Sequence, residues 1–254
     1  VGVAALAVSA NATDFTLSGT SKLKVADDGN TSVANTINVG VSKTFDNGMV
    51  LSLSQNMNSA SVEMTVTSDA VAVTFGDFDQ NEKAPGLNGD AAASDIASDG
   101  VAHGTDGATA GSISLGATVA GVGIGAAMNN EGDTMFGGSF STDMSGMAVT
   151  IGGDVYSDNT SSADQTTMGV KATMGALAIV AHSKQVEAAS GGTDTVSYSA
   201  AYTAGGLVIG FQGNDADASS YSATYTVVPG MQFEIGSKDN GTTSTSSAEL
   251  QMTF

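Results

Sequence analysis

The feature that most constrains this chain is an alternation of period two that returns, segment after segment, along most of its length. In DFTLSGTSKLKVA, Phe15, Leu17, Leu23 and Val25 fall on one side and Thr16, Ser18, Thr20, Lys22 and Lys24 on the other. NTINVGVSKTF sets Ile37, Val39, Val41 and Phe45 against Thr36, Asn38, Ser42 and Thr44. MAVTIGGDVY and SYSATYTVV repeat the pattern, with Met147, Val149, Ile151 and Val155, then Tyr221, Ala223, Tyr225 and Val227, on the apolar sides. Successive side chains of a strand point to opposite faces, so each segment reads as a strand with one apolar face and one small, polar face. Helix has little support. Arg is absent, Lys is scarce and Gly reaches 33 residues. Ser, Thr and Gly compete with helix or leave it unsupported, whereas Thr and Val suit a pleated surface.

The connections fall into two sets. One is tight: DNG (46–48), SDA (68–70), AG (120–121), DMSG (143–146), GA (175–176), AGG (204–206) and PG (229–230). Gly and Asn supply the positive φ that short hairpin turns require. The other set is longer and more polar, as in DDGNTS (27–32), SDNTSSADQ (157–165), EAASGGTD (187–194) and KDNGTTSTS (238–246). Seven tight turns separate eight hairpins, hence about sixteen strands; fourteen stays open because the chain is short for sixteen. One interval breaks the rhythm. Residues 76–110 show no strand alternation and far exceed ordinary loop length, which marks a functional or disordered insertion.

An alternating chain could form a sandwich, with apolar faces packed on each other and polar faces in water. Here the apolar faces carry Ala, Gly, Val and single aromatics, too light to interdigitate densely, and a meander leaves little chain for crossovers. A closed antiparallel transmembrane β-barrel fits better. Lipid fills any shape, and closure satisfies every backbone hydrogen bond, as a bilayer requires. Phe15, Phe45, Phe75, Phe233 and Phe254 near the tight-turn ends, with Tyr198 and Tyr221 towards the long-loop end, are candidates for two interfacial aromatic belts.

Both ends of the sequence carry signals. VGVAALAVSANA (1–12) is a short apolar segment closing on Ala10-Asn11-Ala12, the form of a signal-peptide cleavage site, so residues 1–12 are expected to be the end of a leader and 13–254 the barrel; the alternative is a first core strand. SAELQMTF (247–254) alternates Ala248, Leu250, Met252 and Phe254 against Glu249, Gln251 and Thr253. In a barrel the last strand must pair with the first to remove both edges, so this segment is expected beside DFTLSGTSKLK, with Phe254 facing lipid at the rim.

FTLSGTSKLKV, the hairpin TFDNGMVLSLS, the strand AVAVTFGDFD leading into the longest loop and the terminal LQMTF, taken in that order, resemble the general porins of Gram-negative bacteria, especially those of alphaproteobacteria. The resemblance covers residues 13–254. It implies an outer-membrane location, a homotrimer, and a terminal strand whose Leu250, Met252 and Phe254 are read by the barrel assembly machinery. It also implies that the loop after the fifth strand folds into the lumen. With strands near 14–26, 33–45, 49–57, 61–67 and 71–76, that loop is 77–110, and Asp77, Asp79, Glu82, Asp90, Asp95, Asp99 and Asp106 on it outweigh Lys83. Similar porins set such acids across the pore from basic wall residues, but the arginine cluster of that family is missing here.

By parity the polar wall carries Lys22, Lys24, Lys171, His182 and Lys184, and the acids Glu63, Asp154 and Glu234. Selectivity follows from lumenal charge, so the excess of acids predicts a cation-preferring pore for passive diffusion of ions and small hydrophilic solutes. Lys43 falls on the apolar face near a tight turn, where it can snorkel to headgroups. A net charge of -19 opposes nucleic acid as a partner. With no Cys and two His, His103 and His182, neither a thiol site nor a histidine zinc centre is expected. No cofactor or metal is implied, and no nucleophile elbow points to an enzyme. The competing reading is a secreted acidic β-rich surface protein or adhesin, which would keep the leader and the alternation.

Overall fold

The computed structural model describes residues 13–59, 61–79, 110–159, 163–187 and 191–254. The strands run in chain order as β1 (Thr13–Ala26), β2 (Thr31–Thr44), β3 (Val50–Asn56), β4 (Val62–Ser68), β5 (Val71–Asp79) and β6 (Ala110–Val119). They continue as β7 (Val122–Asn129), β8 (Thr134–Met144), β9 (Met147–Ser157), β10 (Asp164–Met174) and β11 (Leu177–Glu187). The last five are β12 (Thr193–Ala204), β13 (Leu207–Asn214), β14 (Ser219–Val228), β15 (Met231–Asp239) and β16 (Ser244–Thr253). Each pairs antiparallel with its sequence neighbours, and β1 pairs with β16, so the sheet closes on itself as a sixteen-strand barrel. The count is sixteen rather than fourteen.

Turn chemistry explains the short ends. Ala120 and Gly121 (φ 52° and 81°) join β6 to β7, and Ser145 and Gly146 (φ 57° and 84°) join β8 to β9. Positive φ at both central residues matches the right-handed twist of the flanking strands. Asp143 Oδ1 accepts a hydrogen bond of 3.0 Å from the Gly146 N–H and fixes the second turn.

The faces are inverted relative to a soluble β-protein. The large apolar side chains point outward, among them Val119, Phe136 and Met168 at 63%, 62% and 67% exposure. The buried side chains are mostly polar, with Gln212 at 0%, Thr167 at 1% and Ser197 at 2%. Among the described residues, no charged side chain on the outer face lies farther in than the third residue from a strand end. Lys43 is one of these terminal exceptions: it sits next to the end of β2, with Nζ 5.4 Å from the Phe45 ring centroid. Of the aromatics, only Phe78 and Tyr156 are buried; the rest are exposed, and Tyr198 leans on Phe211 with ring centroids 6.0 Å apart. The buried pair belongs to a small apolar cluster with Ala127 and Met135.

Wall height varies around the barrel. Strands of eleven residues such as β9, β10 and β11 reach about 26 Å along the barrel axis at ~3.3 Å per residue and a tilt of ~45°. The seven-residue strands β3 and β4 reach only about 16 Å on the same reckoning. The register also slips by one residue between Phe75 and Phe78, at Gly76 (φ 113°), where an added Cβ would run into the Val62 carbonyl oxygen. Strand pairing resumes at Phe78, so Asp77 and Asp79 belong to β5 and not to the insertion that follows. The sequence pattern ends this strand at residue 76, because a bulge interrupts the alternation that marks a strand.

The seam is pinned at both ends. Gly19 and Phe254 exchange two backbone hydrogen bonds, Gly19 N–H to Phe254 O at 2.9 Å and Phe254 N–H to Gly19 O at 3.0 Å. At the far end the Asp27 N–H donates to Ser246 O (3.0 Å), and Asp27 Oδ2 accepts from the Ser246 N–H (2.9 Å). Between them Lys24 faces Glu249 and Leu23 faces Leu250. The terminal pairing expected from SAELQMTF is thus present, with Phe254 68% exposed.

Candidate functional site

The candidate site is the lumenal wall, formed by the polar faces of the strands. Alternation places Lys22 and Lys24 of β1 on it, and the registers decide which charges they meet. Glu249 lies directly opposite Lys24 on one side and Glu234 on the other. Lys22 Nζ stands 3.5 Å from Glu249 Oε1. Three neighbouring strands, β15, β16 and β1, therefore carry two carboxylates and two ammonium groups in one patch. Glu249 and Glu234 are 6% and 8% exposed.

A second group lies six strands away around the barrel. Asp154 of β9 and Lys184 of β11 flank Thr167 of β10, each in direct register with it. His182 of β11 faces Gly169 on one side and Ser197 on the other. Lys171 of β10 lies between Thr150 and Val180. Hydroxyls fill the wall beyond: Ser197, Ser199, Ser220, Ser222 and Thr224 are all buried. Glu63 of β4 stands apart from both groups, its Oε1 accepting 3.2 Å from Thr65 Oγ1, which in turn lies 3.0 Å from Thr74 Oγ1.

The eight wall residues expected from parity all lie on strands, and the registers bring together Lys22 with Lys24 and Glu234, and Asp154 with Lys184 and its same-face neighbour His182. Glu63 and Lys171 join neither set. On the insertion side, Asp77 is exposed on β5 beside the buried Phe78, and Asp79 closes that strand. Glu82, Asp90, Asp95, Asp99 and Asp106 lie outside the described residues.

Three residues were not singled out from the sequence. Glu249 was placed on the polar side of SAELQMTF, but only its register shows that it meets β1 lysines. Lys238 shares the face of Glu234 at the loop end of β15 and pairs in register with Ser220. Asp133, 1% exposed, accepts from Asn129 Nδ2 (2.8 Å), Tyr156 Oη (3.1 Å) and the Asn159 N–H (2.9 Å). That carboxylate ties the β7–β8 connection to the one after β9. Nothing in the local sequence of Asp133 distinguishes it from an acid in water.

Charge is uneven along the barrel axis. The long-loop end carries Asp27, Asp28, Glu131, Asp158, Asp215 and Asp217 in connections, and Asp164, Glu187, Asp194 and Asp239 on terminal strand positions, with Lys238 as the lysine nearby. The short-turn end carries Asp14, Asp46, Asp69 and Asp143 with Lys43. Mid-wall charges are close to balanced.

A closed antiparallel barrel of sixteen strands, apolar outside and polar within, joined by short turns at one end and longer loops at the other, is the class that these features define. Comparison with solved structures gives that class a name. An engineered tryptophan variant of the Rh. blastica porin superimposes with a TM-score of 0.68 at 13% sequence identity, covering 96% of this chain and 100% of that one. A triple mutant of the same Rhodopseudomonas blastica porin gives 0.66 at 13% identity and the same coverage. An engineered protein described by its asymmetric conductivity gives 0.68, again at 13% identity and with 96% and 100% covered. The chain has the porin fold over essentially its whole described length. No protein-family model and no curated protein matches the sequence.

Proposed function

We propose that this chain is a porin of a bacterial outer membrane, a water-filled channel for passive diffusion of ions and small hydrophilic solutes with a preference for cations. The observation that carries the reading is the pairing of a closed sheet with an inverted distribution of side chains: large apolar residues exposed outside, hydroxyls and charges inside. A bilayer tolerates a sheet only when no edge is left unpaired, and the outer face must then be apolar through its middle. The secreted surface-protein reading needs apolar faces packed on each other, which a single closed barrel does not provide.

Cation preference is supported by the acids at the loop mouth. A ring of like charge around an opening raises the local concentration of counter-ions and the rate at which they enter. Self-association into a homotrimer is supported by the low wall at β3 and β4. At about 16 Å it falls short of the ~25 Å apolar band of such barrels, and a protein neighbour suits that flank better than lipid. Leu250 and Met252 on the closing strand and Phe254 just past its end suit recognition by the barrel assembly machinery, and residues 1–12 suit a cleaved leader.

The test is single-channel recording of detergent-purified protein in a planar bilayer under a salt gradient. Stepwise conductance grouped in threes, with a reversal potential on the cation side, is expected. Anion preference at neutral pH would remove the selectivity claim. Folded protein that never conducts would remove the channel itself.

A further inference from the structure

We propose that Glu249, on the closing strand, is a specificity-determining residue: it neutralises the paired lysines of β1 and so keeps the conduit cation-preferring. This rests on the channel reading above.

The argument starts from register. Lys22 and Lys24 are two residues apart on one face of β1, so their side chains leave the same wall about 7 Å apart. Left alone, they would form a cationic ridge inside the pore. That ridge would lie in the water path, because Thr16 and Ser18, on the same face of β1, are exposed and Lys22 keeps 26% of its side chain accessible. Glu249 is the acid placed to cancel it, in register with Lys24 and 3.5 Å from the Lys22 ammonium. Its same-face neighbours on β16, Ser247 and Gln251, carry no charge.

Glu234 shows that the arrangement is a charge device and not a single ion pair. It lies directly opposite Glu249, and two carboxylates facing each other across a strand pair repel. Both are nearly buried, where that repulsion is screened least. The pair is tolerable because Lys22 and Lys24 stand on the other side. Around Glu249 two acids stand against two lysines, with Lys238 four residues beyond Glu234 towards the loop end of β15, and the acidic mouth is left to decide which ions enter. With Glu249 removed, the patch gains one positive charge beside the path.

The experiment compares wild type, Glu249→Gln and the Lys22→Gln/Glu249→Gln double variant in planar bilayers under a potassium chloride gradient at neutral pH. Glutamine keeps the size and the backbone ladder. Glu249→Gln is expected to conduct with a cation-to-anion permeability ratio lowered by about 16-fold, since one unit charge ~5 Å away at the dielectric of water disfavours a cation about fourfold and favours an anion about fourfold. Adding Lys22→Gln should return the ratio towards wild type, which a merely structural role for Glu249 would not do. A conducting Glu249→Gln channel with an unchanged ratio overturns the proposal. If that variant does not fold, Lys22→Gln/Lys24→Gln decides: the ratio must rise above wild type, and an unchanged ratio overturns the proposal. A folded wild type without conductance overturns the channel reading itself, which the wild-type trace alone reveals.

Discussion

The closure of the barrel makes a quantitative demand at Gly19. An added Cβ there would lie 2.5 Å from Phe254 Cζ, 2.8 Å from Cε2 and 2.9 Å from the Thr36 carbonyl oxygen. The Phe254 ring therefore lies over a glycine that has no side chain to resist it. In Gly19→Val the ring must leave and the backbone of β2 must give way. The displaced ring stays on the lipid-facing side, so losing its contact costs packing and not burial from water, about 0.5–1 kcal/mol. Weakening the two Gly19–Phe254 backbone bonds adds about 1 kcal/mol each. A destabilisation of about 2.5–3 kcal/mol is expected, and Gly19→Ala should cost roughly a third of that, because the ring is the flexible end of its side chain.

The assay is reversible urea unfolding in detergent micelles or thin vesicles, with Phe254→Ala and the double variant completing a cycle. If the ring is what excludes a side chain at position 19, Phe254→Ala must relieve part of the penalty of Gly19→Ala. The coupling should then reach about 0.5–1 kcal/mol, the low end of the range for residues in direct contact and no more than the Gly19→Ala penalty itself. Additive effects, with no coupling, would refute the reasoning and put the strain on Thr36 alone.

Three further outcomes follow from the same geometry. Ile151, 59% exposed in the middle of β9, faces lipid on this reading, so Ile151→Lys should cost about 2–4 kcal/mol in vesicle refolding; a change within about 0.5 kcal/mol, as on a wet surface, would contradict a membrane-facing wall. Tyr156→Phe removes one of the three bonds to Asp133 recorded above and should lower stability by about 1 kcal/mol, seen as a lower temperature of heat modification on gels, while leaving ion preference unchanged. Cation preference should weaken as ionic strength rises from about 0.1 M to 1 M, where the screening length falls from ~10 Å to ~3 Å, because the deciding acids stand at a wet mouth; a salt-independent ratio would move the selectivity filter inside the barrel.

The fold was legible because its two rules, side-chain parity and connection length, are written locally. Seven tight turns point to about sixteen strands, with fourteen open on chain length alone, and SAELQMTF suffices to place the closing strand beside β1. Strand bulges were not legible. Gly76 reads as the last residue of a strand because alternation stops there, yet pairing resumes at Phe78 after one extra residue, and Asp77 and Asp79 stay in the sheet. The wall was half legible. Parity gives a residue's face, but only register gives its partner, and register accumulates around sixteen strands. Lys22 and Lys24 could be named from β1 alone. That Glu249 and Glu234 stand opposite each other and beside those lysines depends on how β15, β16 and β1 align across the point of closure, where the sequence offers no local turn to set the offset.

That distinction also explains where the net charge of -19 is stored. The middle of the outer face holds no charge among the described residues, which hydrocarbon requires. The middle of the wall holds charges of both signs in register, since an uncompensated ridge would repel itself across a few ångströms. Only the ends, wet on every side and separated by more than a screening length from one another, can carry an unbalanced excess at little cost. Acids therefore collect at the loop mouth, where they are cheapest to keep and where, on the proposed channel reading, an approaching ion meets them first. On the proposed channel reading, an acidic mouth ahead of a wall whose β1 lysines are cancelled favours cations without an arginine cluster across a narrow gap.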